Sequence, residues 1–316
     1  MFIQMLKQCS KCGKNNAIYL RHYSGELLCK KCFIKSVEYK AKRTLSKFSM
    51  INHGDRVAVA VSGGKDSLTL LNILKNIFNG DKPELVAITV DEGIQGYRDE
   101  SLDIVKNFCS NLGVENRILS FKKLFDLSMD DAMELRPSKK VSSCSICGTF
   151  RRRAIDLLAE SCGANVIATG HNLDDYVQTF FINLFAGDIE RIGWAYPEPV
   201  EYGSGRQKKI KPLMEIYEKE LVLYAIQQNI PFQSEECPYK DESIRTDFRN
   251  HLNNLEKIHP GIKYNAYNSI LKIAKKLKTT DSMISQERKK CLVCNRDSSN
   301  SICSVCRTLD LLIKRN

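Results

Sequence analysis

A six-residue turn, Ser62-Gly63-Gly64-Lys65-Asp66-Ser67, constrains this chain more than any other stretch. The apolar run from Val57 to Val61 leads into it and reads as a fully buried strand. Leu68, Leu71, Leu74 and Ile77 or Phe78 follow at helical spacing, so the turn joins a strand to a helix N-terminus. Two glycines let the backbone take unusual dihedrals and let a ligand approach closely. The free amides of the first helical turn, with the helix dipole behind them, form an anion site. Lys65 and the hydroxyls of Ser62 and Ser67 add donors suited to phosphate. An ordinary glycine-rich connection is the bland alternative. A Walker A loop is excluded, because its G-x-x-x-x-G-K-[ST] spacing is absent.

Strands and helices alternate after this turn. Glu84–Val90 reads as a second buried strand, with Asp91-Glu92-Gly93-Ile94 at the end where doubly wound sheets place ligands. A helical pattern (Leu102, Val105, Cys109, Leu112) precedes a third strand around Asn116–Ser120. Residues 121–143 are charged and irregular, including Arg136, Lys139 and Lys140, and open onto Cys144-Ser-Ile-Cys147 and a helix over Arg151–Ser161. A fourth strand, Asn165–Gly170, meets His171-Asn172-Leu173-Asp174-Asp175, where the two aspartates could simply cap the next helix. Residues 186–211 read as a loop, with Pro199, Gly203 and Gly205, ending in the basic cluster Arg206, Lys208, Lys209 and Lys211. Helix Tyr217–Gln228, then Glu236-Cys237-Pro238-Tyr239, Arg245-x-x-Phe248-Arg249 and a Lys-rich helical segment to about residue 278 follow. The fold class is α/β, with a doubly wound parallel sheet.

Thirteen cysteines are many for a chain whose opening, Met1–Leu6, is too short for a signal-peptide apolar region. With no run long enough for a membrane span, a cytoplasmic protein is the expectation, and there metal or catalytic use outweighs disulfides. Cys9-x-x-Cys12 with Cys29-x-x-Cys32, and Cys291-x-x-Cys294 with Cys303-x-x-Cys306, each have the spacing of a four-thiolate zinc knuckle. Cys109 and Cys162 read as packing residues. The expected organisation is an N-terminal knuckle over 1–35, a basic linker helix in 36–55, a catalytic domain over 56–250, a basic helical extension over 251–285 and a C-terminal knuckle over 286–316.

Charge is unevenly placed along these parts. Residues 1–55 hold 11 Lys/Arg against 3 Asp/Glu, and residues 251–316 hold 13 against 5, so each end carries net +8, whereas 56–250 carries −5. Two separate basic modules point to a polyanion larger than a nucleotide, and RNA fits best.

Cys144, Cys147 and Cys237 remain. A pair plus one distant cysteine lacks the fourth ligand of a structural zinc site. It suits a 4Fe-4S cluster with one open iron. It also suits a redox pair, Cys144 and Cys237, carrying a persulfide, because a cysteine near a helix N-terminus is expected to have a lowered pKa. Inert thiols are the third alternative.

The loop at 62–67 and Gly170-His171-Asn172-x-Asp174-Asp175 resemble the nucleotide motifs of the PP-loop ATP pyrophosphatases. With two terminal knuckles, the CxxC at 144–147, ECPY at 236–239 and R-x-x-F-R after it, nearly the whole chain is similar to the tRNA 2-thiouridine synthetases of the TtuA/NcsA type. The related 2-thiocytidine enzymes lack the knuckles. This resemblance implies an ATP-dependent tRNA sulfurtransferase that adenylates the uracil 2-carbonyl oxygen and lets sulfide at a 4Fe-4S cluster on Cys144, Cys147 and Cys237 displace AMP. Ser62, Gly63, Gly64, Lys65 and Ser67 would then bind the departing phosphates, and Asp66 or Asp175 would hold Mg²⁺. Ala60, Val61, Val90 and Gly170 would line the adenosine pocket, and Arg151 would bridge the α-phosphate and the base. In the persulfide scheme Cys144 or Cys237 delivers the sulfur. Implied partners are tRNA, a second copy in a homodimer, and a sulfur donor: free sulfide, a ubiquitin-like thiocarboxylate carrier or a desulfurase. A small-molecule PP-loop ligase would leave the knuckles and cysteine trio unused. A zinc-dependent RNA-binding protein with a decayed nucleotide site would not explain an intact loop. If the basic ends contact RNA, tRNA affinity should fall steeply between about 50 and 200 mM salt. A flat response in a filter-binding titration would leave the knuckles as structural caps or dimer contacts.

Overall fold

A computed structural model describes residues 7–78, 80, 83–138, 141–197, 207–240, 244–280 and 289–313. Met1–Leu6, Lys139, Lys140, Pro199, Gly203, Gly205 and Arg206 lie outside the described residues. A small antiparallel hairpin, β1 (Tyr19–Arg21) and β2 (Glu26–Leu28), runs straight into helix α1 (Lys30–Lys47). This helix starts earlier than its basic pattern suggests, because Cys29 serves as its N-cap, and Ser49 turns the chain left-handed just past its end (φ 44°).

The central unit is a five-stranded parallel sheet in the order β5-β4-β3-β6-β7. In chain order it contains β3 (Arg56–Ala60), α2 (Lys65–Ile77), β4 (Glu84–Asp91), α3 (Arg98–Asn111), β5 (Asn116–Ser120), α4 (Phe121–Phe125), α5 (Met129–Leu135), α6 (Ser143–Ser161), β6 (Val166–Thr169), α7 (Leu173–Phe185), α8 (Ile189–Gly193), β7 (Lys208–Ile210) and α9 (Glu218–Gln227). Two further helices, α10 (Arg245–Ile258) and α11 (Ile262–Thr280), precede β8 (Lys289–Lys290), β9 (Asp297–Ser298) and α12 (Ser304–Ile313).

Side-chain alternation sorts the molecule into two cores. Val57, Val59, Val61, Ala87, Val166 and Ala168 face one side, with α2, α7, α9 and the N-terminal hairpin packed there. Ala58, Val86, Ile88, Val90 and Ile167 face the other, with α5, α6 and α12. The N-terminal cysteines Cys9 and Cys29 belong to the first core, and Cys291, Cys303 and Cys306 to the second, so the two knuckles cover opposite faces of the sheet.

Several elements differ from the sequence expectation. The irregular stretch 121–143 contains α4 and α5, started by the side chains of Ser120 and Ser128, the latter in a capping box with Asp131. Helix α6 begins at Ser143 rather than Arg151, capped by Ser142, so Cys144 and Cys147 sit inside its first two turns. The loop 186–211 contributes α8 and the edge strand β7, too short to show any period. The Lys-rich segment is two helices, broken where Gly261 takes φ 98°.

Buried carboxylates fasten the N-terminal part to the core. Glu220 on α9 has no exposed side-chain surface and receives Arg21 Nε at 2.6 Å and Lys40 Nζ at 2.9 Å. Glu215, equally buried, receives Arg43 at 2.9 Å, Lys47 at 2.6 Å and the Tyr267 hydroxyl at 3.1 Å. Glu220→Ala leaves Arg21 and Lys40 without their shared counter-ion and should cost about 3–5 kcal/mol of stability in urea unfolding. A loss under about 1 kcal/mol would mean the hairpin is not held through this carboxylate.

Candidate active site

The turn after β3 is wired internally. Ser62 N–H donates to Ser67 Oγ at 3.0 Å, and that hydroxyl donates to Gly64 O at 2.9 Å. Gly63 takes φ 86°, and a Cβ there would lie 2.6 Å from Ser101 Cβ, so only glycine fits. The Gly170 position is tight as well, because a Cβ would meet the Asp66–Ser67 peptide at 3.0 Å. The second motif therefore presses directly on the loop.

Charged groups converge over this contact. Lys65 Nζ lies 3.1 Å from Asp66 Oδ2 and 2.8 Å from Glu218 Oε1. Burial opposes the Lys65 charge, yet those two carboxylates outweigh it and raise its pKa. Burial pushes Asp66 up to about 6, with Glu218 and Asp175 acting in the same direction against Lys65. Its Oδ1 is buried without a hydrogen-bond partner. A hard divalent cation would satisfy that oxygen and offset the crowding of carboxylates, so Asp66 and Asp175 fit a Mg²⁺ site. Glu218, at the start of α9, joins this charged group, and sequence pattern alone did not single it out.

Both aspartates of the second motif do structural duty. Asp175 forms a capping box with Asn172 at the start of α7. Asp174 accepts Glu218 N–H at 2.7 Å and pairs with the buried Lys263. Desolvation, with Lys211, Arg245 and Arg151 nearby, lowers the His171 pKa to about 4, although the residue itself is exposed. Of the residues expected to line adenosine, Val61 N–H donates to Ile88 O at 2.9 Å and Val90 O accepts from Arg98 at 2.6 Å, which commits those two groups to the fold.

The cysteine trio gathers beside this region. Cys144 is exposed, and Cys147 and Cys237 are half-buried. Ser143 Oγ donates to Tyr239 O at 3.2 Å, and the Tyr239 hydroxyl donates to Asp130 at 2.7 Å, which ties the Cys237 segment to α5 and α6. Gln233 strengthens the junction, donating its N–H to Gly63 O at 3.1 Å and its side-chain amide to Tyr97 O at 2.6 Å. Cys144 and Cys237 lie close enough to help raise the pKa of Cys147, yet the three sulfurs do not all fall within the 4.8 Å that both four-cysteine sets satisfy. As they stand, no single ion is ligated by all three. Burial lifts Cys147 to about 11 and also raises Cys237, the opposite of the lowered thiol expected at a helix N-terminus. Desolvation outweighs the Arg151 guanidinium, whose Nη2 lies 3.2 Å from Cys147 Sγ.

Between loop and trio stands a line of charged side chains. Glu92 joins Arg98 Nε at 2.8 Å to Arg151 Nε at 2.7 Å, the Arg98 contact being an ion pair without good hydrogen-bond alignment. Arg98 in turn donates to Ser62 O at 2.9 Å.

The terminal sets Cys9, Cys12, Cys29, Cys32 and Cys291, Cys294, Cys303, Cys306 each bring four sulfurs within 4.8 Å of one another. Burial resists ionisation of Cys9, but N–H groups of Cys29, Cys12 and Lys11 bring it down to about 6; N–H groups of Cys303 and Cys294 bring Cys291 to about 6 as well. Soft thiolates in closed tetrads fit zinc.

Comparison with known proteins bears on this arrangement. Residues 35–256 match the PP-loop domain family, and residues 8–34 match the N-terminal LIM domain of 2-thiouridine synthetase TtuA. Cytoplasmic tRNA 2-thiolation protein 1 of Drosophila sechellia is 36% identical over 303 residues, covering 95% of this chain and 86% of that protein. The tRNA 2-thiolation protein NcsA of Haloferax volcanii is 31% identical over 319 residues, covering 96% and 98%. The chain belongs to the PP-loop tRNA 2-thiolation family. Within that family, the structure of the U34-tRNA thiolase NcsA from Methanococcus maripaludis, with its [4Fe-4S] cluster, matches with a TM-score of 0.80 at 32% identity, covering 97% of this chain and 96% of that one.

A carboxylate with a raised pKa makes the fold less stable as pH climbs from its unfolded value near 4 to its folded value near 6. Asp66→Asn should therefore stabilise the nucleotide-free protein by about 1–2 kcal/mol at pH 7.5, with little gain at pH 4, as read by thermal unfolding. Equal effects at both pH values would remove the buried charge as the cause.

Proposed function

We propose that this chain is an ATP-dependent tRNA sulfurtransferase that makes 2-thiouridine, at uridine 34 as the name of its M. maripaludis relative indicates. The observation carrying this reading is the junction of nucleotide loop and cysteine trio through Arg98, Glu92 and Arg151, in a chain similar along nearly its whole length to tRNA 2-thiolation proteins. The relatives named cytoplasmic support the same compartment here.

A uracil carbonyl oxygen is a poor leaving group, so it must first be activated. The 2-carbonyl oxygen attacks the α-phosphate of ATP, and pyrophosphate leaves into the 62–67 turn. Ser62, Gly63, Gly64 and Ser67 cradle it, while Lys65 offsets its growing charge. Asp66 and Asp175 hold Mg²⁺. Ala60, Val61, Val90 and Gly170 line the adenosine, and Arg151 spans the α-phosphate and the base. Cys144, Cys147 and Cys237 hold a 4Fe-4S cluster, which supplies an open iron where sulfide can sit as the nucleophile for carbon 2. AMP departs with the oxygen, and the base keeps sulfur in its place. Each terminal tetrad holds a structural zinc, and the basic ends around them meet the tRNA backbone.

Anaerobically purified protein tests the scheme. Lys65→Ala should lower tRNA-dependent pyrophosphate release by about 10²-fold or more while tRNA binding persists. Cys237→Ala should consume ATP without thiolating tRNA. A variant with Cys144, Cys147 and Cys237 all changed to Ala should lose iron and sulfide and keep about two zincs. Thiolation at the wild-type rate by either single variant would sink that residue's role, and iron retained by the triple variant would sink the cluster assignment.

A further inference from the structure

Glu92 sits one residue past β4 with 4% of its side chain exposed, between two guanidinium groups. Arg98, 6% exposed, is immobilised on three sides: Nη1 donates to Ser62 O, Nη2 to Val90 O, and Nε pairs with Glu92 Oε2. Among the described residues Arg151 is held by Glu92 Oε1 at 2.7 Å and by Cys147 Sγ at 3.2 Å, and 48% of its side chain faces solvent. One carboxylate thus neutralises one of two arginines and leaves a single positive charge at Arg151. The group so charged lies between Ser62 O of the nucleotide loop and Cys147 Sγ.

A long arginine side chain on an open surface samples many rotamers, and fixing it for catalysis carries an entropic cost. Here a buried carboxylate anchored through Arg98 to the loop carbonyl of Ser62 fixes that arginine in advance. We propose that Glu92 is a positioning residue: it aligns Arg151 so that the adenylating half of the site and the sulfur-bearing half act on the same base. The assignment rests on the sulfurtransferase reading above.

Glu92→Gln keeps the shape but cannot serve two guanidinium groups, because its amide nitrogen must face one of them. Arg98 stays tied to the backbone either way, and Arg151 loses its charged partner. The test uses the anaerobically purified full chain, with tRNA thiolation, iron and zinc content and the electron paramagnetic resonance spectrum of the reduced protein as readouts. Glu92→Gln should lower kcat by about 10–100-fold, leave KM for tRNA and the metal content unchanged, and shift the resonance signal as the Arg151 donor leaves Cys147. Arg151→Ala should cause a similar or larger loss, and the Glu92→Gln/Arg151→Ala pair should be no slower than Arg151→Ala alone. If Glu92→Gln does not fold, Arg98→Lys, which keeps the charge but not the fork, carries the same expectations. Additive losses in the double variant, an unshifted spectrum, or iron lost with Glu92→Gln would each overturn the positioning role. Wild-type protein that makes no thiouridine would instead refute the sulfurtransferase reading itself, which separates the two failures.

Discussion

Parallel pairing of three strands is the constraint on which this site depends. Ala60 of β3 is in register with Ile88 of β4 on one side and Thr169 of β6 on the other, so all three chains leave the sheet at one edge. The strand order reverses between β4 and β6 around β3, which opens a crevice there. Into it go the phosphate turn, the Glu92 segment and the Gly170 turn. Backbone contact fills what remains, because the Gly170 position lies against the Asp66–Ser67 peptide. No side chain intervenes at that point, so the relative height of the two turns is set by main-chain contact and tolerates little drift.

Around this crevice one device recurs. Glu215, Glu220 and Glu92 are each buried carboxylates shared by two cationic side chains. Such an arrangement contributes little net stability compared with an apolar contact, but it punishes any other pairing, because each alternative strands a charge in a poorly hydrated place. Glu215 and Glu220 spend that specificity on seating the N-terminal segment and its helix. Glu92 applies it where chemistry is to occur.

Much of this was legible in the residues themselves. Apolar runs and glycine placement marked four strands of the sheet and the turn at 62–67, and cysteine spacing marked both terminal tetrads, because these signals are local. The missing pieces depend on tertiary neighbours. β7 is three residues inside a basic cluster, and nothing in Lys208–Ile210 announces a strand until β6 offers an edge. Glu218 and Gln233 carry no motif, and they matter because α9 and the segment before Cys237 are brought against the loop. Thiol acidity is hidden for a related reason: desolvation of Cys147 by its tertiary neighbours raises its pKa, and no local pattern reports that burial.

Helix α6 is a ruler as well as a scaffold. Cys144, Cys147 and Arg151 recur at intervals of three and four residues and share one face. Arg153 points the other way, where its guanidinium meets Cys294 and Cys303 of the C-terminal tetrad at 3.7 and 3.5 Å. Adding or deleting one residue between Cys147 and Arg153 would rotate everything beyond it by about 100° and shift it by about 1.5 Å. The cysteine face and the tetrad face would then disagree about where the helix must lie. Insertions during divergence of such proteins should therefore be purged from this one helix, whatever residues it is made of.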